Sequence, residues 1–157
     1  MKKDSWKVYL LFVLLSEAVG VLSSLVSRQG MMNSEMIERS VLTPPAVVFP
    51  IVWTLLYALM GIAAARVYLS DNSEFRTAGL WLFFLQLAVN FIWSPIYFNL
   101  QAFGLSLFVI ILLWLLILAT TIAFWKTDRI SAYLMIPYLL WVTFATYLTG
   151  VTWYLNS

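Results

Sequence analysis

The amino-acid sequence predicts an all-α integral membrane protein, a single domain of residues 1–157 folded as a bundle of five transmembrane helices. Hydrophobic residues make up 63% of the chain and charged residues only 10%, whereas a soluble domain carries about 25% charged residues. The apolar residues fall into five stretches that each reach the roughly 20 residues needed to cross a bilayer as a helix. The predicted spans are about 8–26, 46–69, 78–100, 103–125 and 130–155.

The first span follows a positively charged start and therefore resembles a signal peptide. It is about 19 residues long, contains Glu17 and lacks a small-residue cleavage site at its end, so we expect a retained helix. The next loop, residues 27–45, mixes apolar and charged residues. Met32, Met36 and Ile37 fall at helical spacing, which favours a short amphipathic helix or lid over a solvated connector.

The remaining boundaries follow from prolines and from length. Pro44 and Pro45 precede the second span, and proline suits the start of a helix. Almost no charge separates the third span from the fourth. A single helix through both would be about 72 Å long, more than twice the hydrocarbon thickness, so the chain must reverse. We expect the turn at Asn99, Gln101 and Gly104.

The distribution of positive charge predicts the orientation in the membrane. With five spans, seven of the nine lysines and arginines lie on the side of the N-terminus. These seven are Lys2, Lys3, Lys7, Arg66, Arg76, Lys126 and Arg129. Only Arg28 and Arg39 lie on the other side. Because positive loops remain inside, we expect a multi-pass protein of the plasma membrane with a cytoplasmic N-terminus and an external C-terminus.

Composition also excludes several functions. The chain has neither Cys nor His, which rules out disulfides, zinc sites of the usual His/Cys type and haem ligation by either residue. We therefore predict no metal site and no required cofactor. The net charge of +2 is small and scattered, so no nucleic-acid partner is expected.

Three tryptophans lie deep inside the predicted spans, at similar depth in the outer half of the membrane. They are Trp53, Trp93 and Trp141. Each has a proline close by in its own span, and proline removes a helix hydrogen bond and tends to bend the helix. These prolines are Pro50, Pro95 and Pro137. Bends in three neighbouring helices can open a gap between them, although a single kink is usually harmless.

Polar side chains occupy the same layer as the three tryptophans. They are Tyr57, Gln86, Asn90 and Thr146. Because polar groups inside a membrane need partners, we expect them to face inward. With the tryptophans they indicate an aromatic cavity with a few hydrogen-bonding groups, which is typical of small-molecule sites. The same residues would also serve as packing contacts between helices.

Glu17 is the only acidic residue deep in a span, which makes it a candidate functional residue. It either binds a cation or carries a proton, or it is a protonated structural group. Small residues spaced four apart along a helix indicate close helix contacts, either within the chain or between copies of it. They form two stripes: Ser16, Gly20 and Ser24 in the first span, and Gly61 and Ala65 in the second.

Three ordered motifs resemble the translocator protein family, also known as tryptophan-rich sensory proteins. The matching segments are residues 44–61, 86–98 and 137–148, and the resemblance covers about four-fifths of the chain. Two departures fall in the first loop. Leu42 replaces the tryptophan that precedes the family's Pro-Pro pair, and Asn33-Ser34 replaces a Trp-Tyr pair.

The resemblance implies a homodimeric five-helix bundle with a ligand pocket in the half that the first loop caps. The implied ligands are porphyrins such as protoporphyrin IX or haem-like tetrapyrroles, and isoquinoline carboxamide drugs. From the residues and the resemblance together, the predicted ligand-binding residues are Trp53, Tyr57, Asn90, Trp93, Trp141, Phe144, Ala145, Thr146 and Leu148. The predicted lid and structural prolines are Pro44, Pro45, Pro50, Pro95 and Pro137.

The predicted function is therefore that of a membrane receptor or translocator for porphyrins and other hydrophobic ligands, in tetrapyrrole transport, sensing or clearance. One alternative, implied by the resemblance, is a light-dependent porphyrin-degrading enzyme with Trp53 and Trp141 as reactive groups. A second is a proton-coupled exporter built around Glu17, against which the fifth span argues. A scaffold that acts through partner proteins is a third alternative.

Overall fold

The computed structural model describes residues 4–71 and 74–157, and five long helices without strands account for most of them. The helices are α1 (Ser5–Met32), α2 (Val48–Tyr68), α3 (Arg76–Ser94), α4 (Phe103–Thr127) and α5 (Arg129–Leu155). Each is long and apolar enough to cross a membrane, the third span running from Arg76 to Asn99. The predicted fold, an all-α bundle of five spans, is confirmed. Lys2 and Lys3, which contribute to the predicted orientation, lie outside the described residues.

The first helix is longer than predicted, because α1 continues to Met32 and no proline interrupts it. Its last turn packs against the chain that follows α3. Gly30 lies against the backbone of Phe98, and its N–H donates to Asn99 Oδ1 at 3.0 Å. A side chain at Gly30 would separate these two segments.

The predicted amphipathic helix in the first loop is reduced to one 3₁₀ turn, Ser34–Met36. Met36 is 89% exposed, whereas Ile37 is buried against Tyr97 and Phe103. The loop is therefore anchored by one apolar side chain and not by a helical face.

The chain reverses between α3 and α4 close to the predicted turn. A π-helix, Pro95–Asn99, extends the third span, and Gln101 has a positive φ of 49°. Pro95 has no N–H to donate to the carbonyl of Phe91, and that carbonyl accepts a hydrogen bond from Ser23 Oγ of α1 at 2.9 Å. Gly104, predicted as part of the turn, lies inside α4.

The prolines differ in their effect on the helices. Pro137 lies inside α5, and Pro95 begins the π-helix. Pro50 differs from both in its position. It lies in the first turn of α2, where the backbone N–H groups have few intrahelical partners to lose.

Small residues bring α1 and α2 together within the chain. A Cβ atom on Gly61 would lie 2.7 Å from Cα of Val13 and 2.9 Å from the carbonyl oxygen of Phe12. Gly20 of α1 faces the ring of Tyr57 in the same way. The glycines predicted to mark helix contacts therefore serve the α1–α2 interface.

An ion pair fixes the opposite end of the bundle from the first loop. Arg66 Nε of α2 donates to Asp128 Oδ2 at 2.8 Å, and Asp128 also accepts from the backbone N–H and hydroxyl of Ser131. Burial raises the pKa of Asp128, but the hydrogen bonds from Arg66 and Ser131 outweigh it and leave the pKa below its ordinary value. Asp128 thereby caps α5 and joins it to α2.

Candidate ligand cavity

A cavity of about 650 Å³ lies inside the bundle at the end that carries the first loop. Residues of all five helices and of the loop line it. This volume is within the range of about 300–1,000 Å³ that is usual for small-molecule sites. Trp53, Trp93 and Trp141 all belong to the lining, so α2, α3 and α5 each contribute one tryptophan to the same space.

Other aromatic rings hold Trp53 and Trp141 in position. Trp53 lies 5.5 Å from the ring of Tyr57 and packs at 6.1 Å, edge to face, against Tyr138. Trp141 packs edge to face against Phe49 at 5.8 Å. Such pairs are attractive beyond the area they bury, and they fix one wall of the cavity.

Trp93 is fixed on the other side of the cavity by both stacking and a hydrogen bond. Its ring stacks on Tyr97 at 4.9 Å. Its indole N–H donates to the carbonyl oxygen of Ser106 in α4 at 3.2 Å. The polar edge of this tryptophan is therefore already satisfied, and its ring is the surface that remains for a ligand.

A chain of hydrogen bonds forms the floor of the cavity. Tyr57 Oη donates to Asn90 Oδ1 at 2.6 Å, Asn90 Nδ2 donates to Tyr138 Oη at 2.7 Å, and Tyr138 Oη donates to Gln86 Oε1 at 2.6 Å. Tyr57 and Asn90 line the cavity, whereas Tyr138 and Gln86 are completely buried behind them. These bonds connect α2, α3 and α5, and they set the orientation of the Asn90 amide.

The indole nitrogen of Trp141, unlike that of Trp93, lacks a hydrogen-bond partner among the described residues. A buried donor without a partner costs about 1–3 kcal/mol. Because this nitrogen is itself buried, it is not exposed to a molecule in the cavity in this conformation.

Seven of the predicted ligand-binding residues line the cavity, and two do not. Those present are Trp53, Tyr57, Asn90, Trp93, Trp141, Ala145 and Leu148. Phe144 and Thr146 are absent from the lining formed by the described residues. The Phe144 ring lies behind Trp141 at 5.8 Å, and the Thr146 hydroxyl donates to the carbonyl oxygen of Val142. Successive helix residues differ by about 100° in direction, which turns Thr146 away from Ala145.

The structure also places residues at the cavity that sequence reasoning missed. Thr149 and Thr152 of α5 line it one and two turns beyond Ala145, and Ser23 lines it from α1. Tyr138, in the floor, was recognised only as part of a motif. Its position three residues before Trp141 would have indicated a shared helix face.

Glu17 and some of the prolines line the cavity, and the other prolines do not. Glu17, Pro44 and Pro50 line the cavity, whereas Pro45, Pro95 and Pro137 are not in the lining formed by the described residues. No group of three or more acidic residues in positions 4–71 and 74–157 could hold a metal ion. The site offers aromatic surface, hydroxyl and amide groups, and two charged side chains.

The first loop covers the open end of the cavity and is tied to the end of α5. The backbone N–H of Glu38 donates to Asn156 Oδ1 at 3.2 Å, and Asn156 Nδ2 donates back to the carbonyl oxygen of Glu38 at 2.8 Å. Ser40 Oγ lies 3.5 Å from the hydroxyl of Tyr147. With Ile37 buried as well, the loop is anchored without the aromatic residues of the family pattern.

Fold and cavity together define a multi-pass membrane protein with an internal, tryptophan-lined pocket. The chain belongs to the TspO/MBR family, whose sequence model matches residues 12–154. It is 42% identical to Protein CrtK of Rhodobacter capsulatus over 114 residues, which cover 72% of this chain and 71% of that one. It is 33% identical to the tryptophan-rich sensory protein of Cereibacter sphaeroides over 141 residues, or 90% and 86% of the two chains.

A eukaryotic relative extends the comparison. The human translocator protein is 35% identical over 112 residues, which cover 70% of this chain and 66% of that one. Membership of this family supports a role of the membrane receptor or translocator type.

Proposed function

We propose that this protein binds porphyrins and other hydrophobic small molecules in the cavity under the first loop, in tetrapyrrole transport, sensing or clearance. The observation that carries the proposal is the convergence of Trp53, Trp93 and Trp141 on one cavity of about 650 Å³. A flat aromatic macrocycle presents two faces on which indole rings stack favourably.

Stacking matters more here than in a soluble protein. A ligand that leaves lipid for an apolar pocket gains little hydrophobic free energy, because the acyl chains are as apolar as the pocket. Selectivity must therefore come from aromatic contacts and from the few polar groups. Tyr57 and Asn90, which line the cavity and bond to each other, supply such groups in the floor.

The proposal treats the porphyrin as a ligand and not as a resident cofactor. The chain contains no histidine or cysteine to ligate iron, so metal-free protoporphyrin IX should bind as well as haem-like tetrapyrroles. Isoquinoline carboxamide drugs would occupy the same cavity. We also propose that the protein resides in the plasma membrane with a cytoplasmic N-terminus, and that it forms a homodimer.

Titration of the purified protein with protoporphyrin IX in the dark tests this function. We expect saturable quenching of tryptophan fluorescence, because three of the indoles would contact the pigment, and competition by an isoquinoline carboxamide. Quenching that does not saturate, and that matches partition into empty detergent micelles, would contradict the proposal. Repeating the experiment under illumination addresses the enzyme alternative. Pigment loss that is equal for the wild type and for Trp53→Phe would remove it.

A further inference from the structure

Only two of the described cavity-lining residues carry a charge, and they lie far apart. Glu17 belongs to the middle of α1, whereas Arg39 belongs to the first loop. Met31, which lines the loop end of the cavity, is 14 residues beyond Glu17 on the same helix. At 1.5 Å per residue this separation is about 21 Å. The cavity therefore has an acidic side chain near the middle of α1 and a positive group under the loop.

The loop holds the guanidinium of Arg39 at the mouth of the cavity. Arg39 Nη2 lies 3.5 Å from the carbonyl oxygen of Ser34, which itself lines the cavity. The residues on either side of Arg39 are both anchored on α5, Glu38 through Asn156 and Ser40 beside Tyr147. Arg39 forms no ion pair with any carboxylate of the described residues.

An arginine in this position has a definite chemical preference. Its planar guanidinium carries five N–H donors, and a single long hydrogen bond to Ser34 uses one of them. A carboxylate accepts two parallel bonds from such a group, and these charged bonds are about twice as strong as neutral ones. Glu17 at the far end offers such a carboxylate no positive charge, so the position of Arg39 favours one direction of entry.

We propose that Arg39 binds a carboxylate of the ligand, and that the cavity selects flat apolar molecules with an acid group at one edge. The apolar body enters among the tryptophans, and the acid edge remains under the loop. This inference rests on the proposed function, since it assumes that the cavity binds such a molecule at all. It adds a chemical class of ligand and an orientation.

A pair of probes isolates the contribution of the acid group. Protoporphyrin IX carries two carboxylates, and its dimethyl ester has the same macrocycle without them. We expect the wild type to bind the diacid about tenfold more tightly than the ester, as the loss of one charged hydrogen-bond pair implies. Arg39→Gln should remove this difference by weakening the diacid alone, and Arg39→Lys should restore part of it.

Arg28→Gln is the matched control. Arg28 is an exposed arginine near the end of α1 that leads into the first loop, and it is outside the described cavity lining. Arg28→Gln should change neither the affinity for protoporphyrin IX nor the affinity for its dimethyl ester. Glu17→Gln should leave the diacid bound at least as tightly as the wild type does. A loss as large as that of Arg39→Gln would overturn the proposed orientation.

The two proposals fail in different ways. If the wild type binds the diacid and the ester equally, or if Arg39→Gln weakens the binding of both to the same extent, Arg39 does not bind the carboxylate. This inference is then wrong. Porphyrin binding in the cavity would then stand. If neither probe binds, the proposed function fails, and the role of Arg39 fails with it.

Discussion

Replacing Trp53 and Trp141 together with leucine should weaken the binding of protoporphyrin IX about 100-fold. Both residues line the cavity, and an aromatic contact is worth about 0.5–1.5 kcal/mol beyond the area it buries. Two such contacts are worth up to about 3 kcal/mol, which corresponds to a factor of about 100 in the dissociation constant.

The matched control for this variant is Trp81→Leu. Trp81 lies on α3, is 71% exposed and is outside the described cavity lining. Trp81→Leu should leave the affinity for protoporphyrin IX unchanged. Equal effects of the two variants would show that the affinity depends on the number of tryptophans and not on their position in the cavity. Because Trp53 also packs on Tyr57 and Tyr138, the thermal stability of each variant should be measured beside its affinity.

The second large effect is expected at Gly61, where alanine should destabilise the bundle. The new methyl group would meet the backbone of Val13 at 2.7 Å, and backbone cannot move aside as a flexible side chain can. Alanine gains about 1 kcal/mol over glycine in helix propensity. Overpacking costs about 1–3 kcal/mol, so we expect a net loss at this site. A valine should lower the midpoint of thermal unfolding further.

Gly150→Ala provides the comparison for this variant. Gly150 also lies within a helix, but a Cβ atom there would meet only Leu107, at an ordinary 3.8 Å. Circular dichroism in detergent should show unchanged or higher stability for this variant. Since α1 and α2 both line the cavity, Gly61→Ala should weaken porphyrin binding as well. If Gly61→Ala unfolds at or above the wild-type temperature, the close α1–α2 contact is not needed.

The sequence predicts the number of helices well and their ends less well. Apolar length shows which parts of the chain lie in hydrocarbon, and all five spans follow from it. Backbone hydrogen bonding continues beyond the hydrocarbon layer until something interrupts it. For this reason α1 extends to Met32, six residues past the predicted end of the span at residue 26.

The site shows a similar division. The depth of Trp53, Trp93 and Trp141 in their spans follows from counting residues, and polar side chains at that depth point to the interior. The spans are apolar on every side, so the sequence pattern does not show how each helix is rotated. That rotation separates Ala145, which lines the cavity, from Thr146, whose hydroxyl bonds within its own helix.

The hydrogen-bonded floor was the least predictable feature. Gln86 and Asn90 are four residues apart on α3, and both bond to Tyr138 of α5. The spacing on α3 is visible in the sequence, but the partner depends on how two helices pack. The anchoring of the loop through Asn156 depends in the same way on the proximity of two segments that are 118 residues apart.

A structure of the protein with bound protoporphyrin IX would show where the three tryptophans meet the ligand. We expect the macrocycle inside the bundle, in contact with Trp53, Trp93 and Trp141, with its acid edge beneath the first loop. A macrocycle bound on the lipid-facing surface, with the cavity between the helices unoccupied, would contradict this expectation.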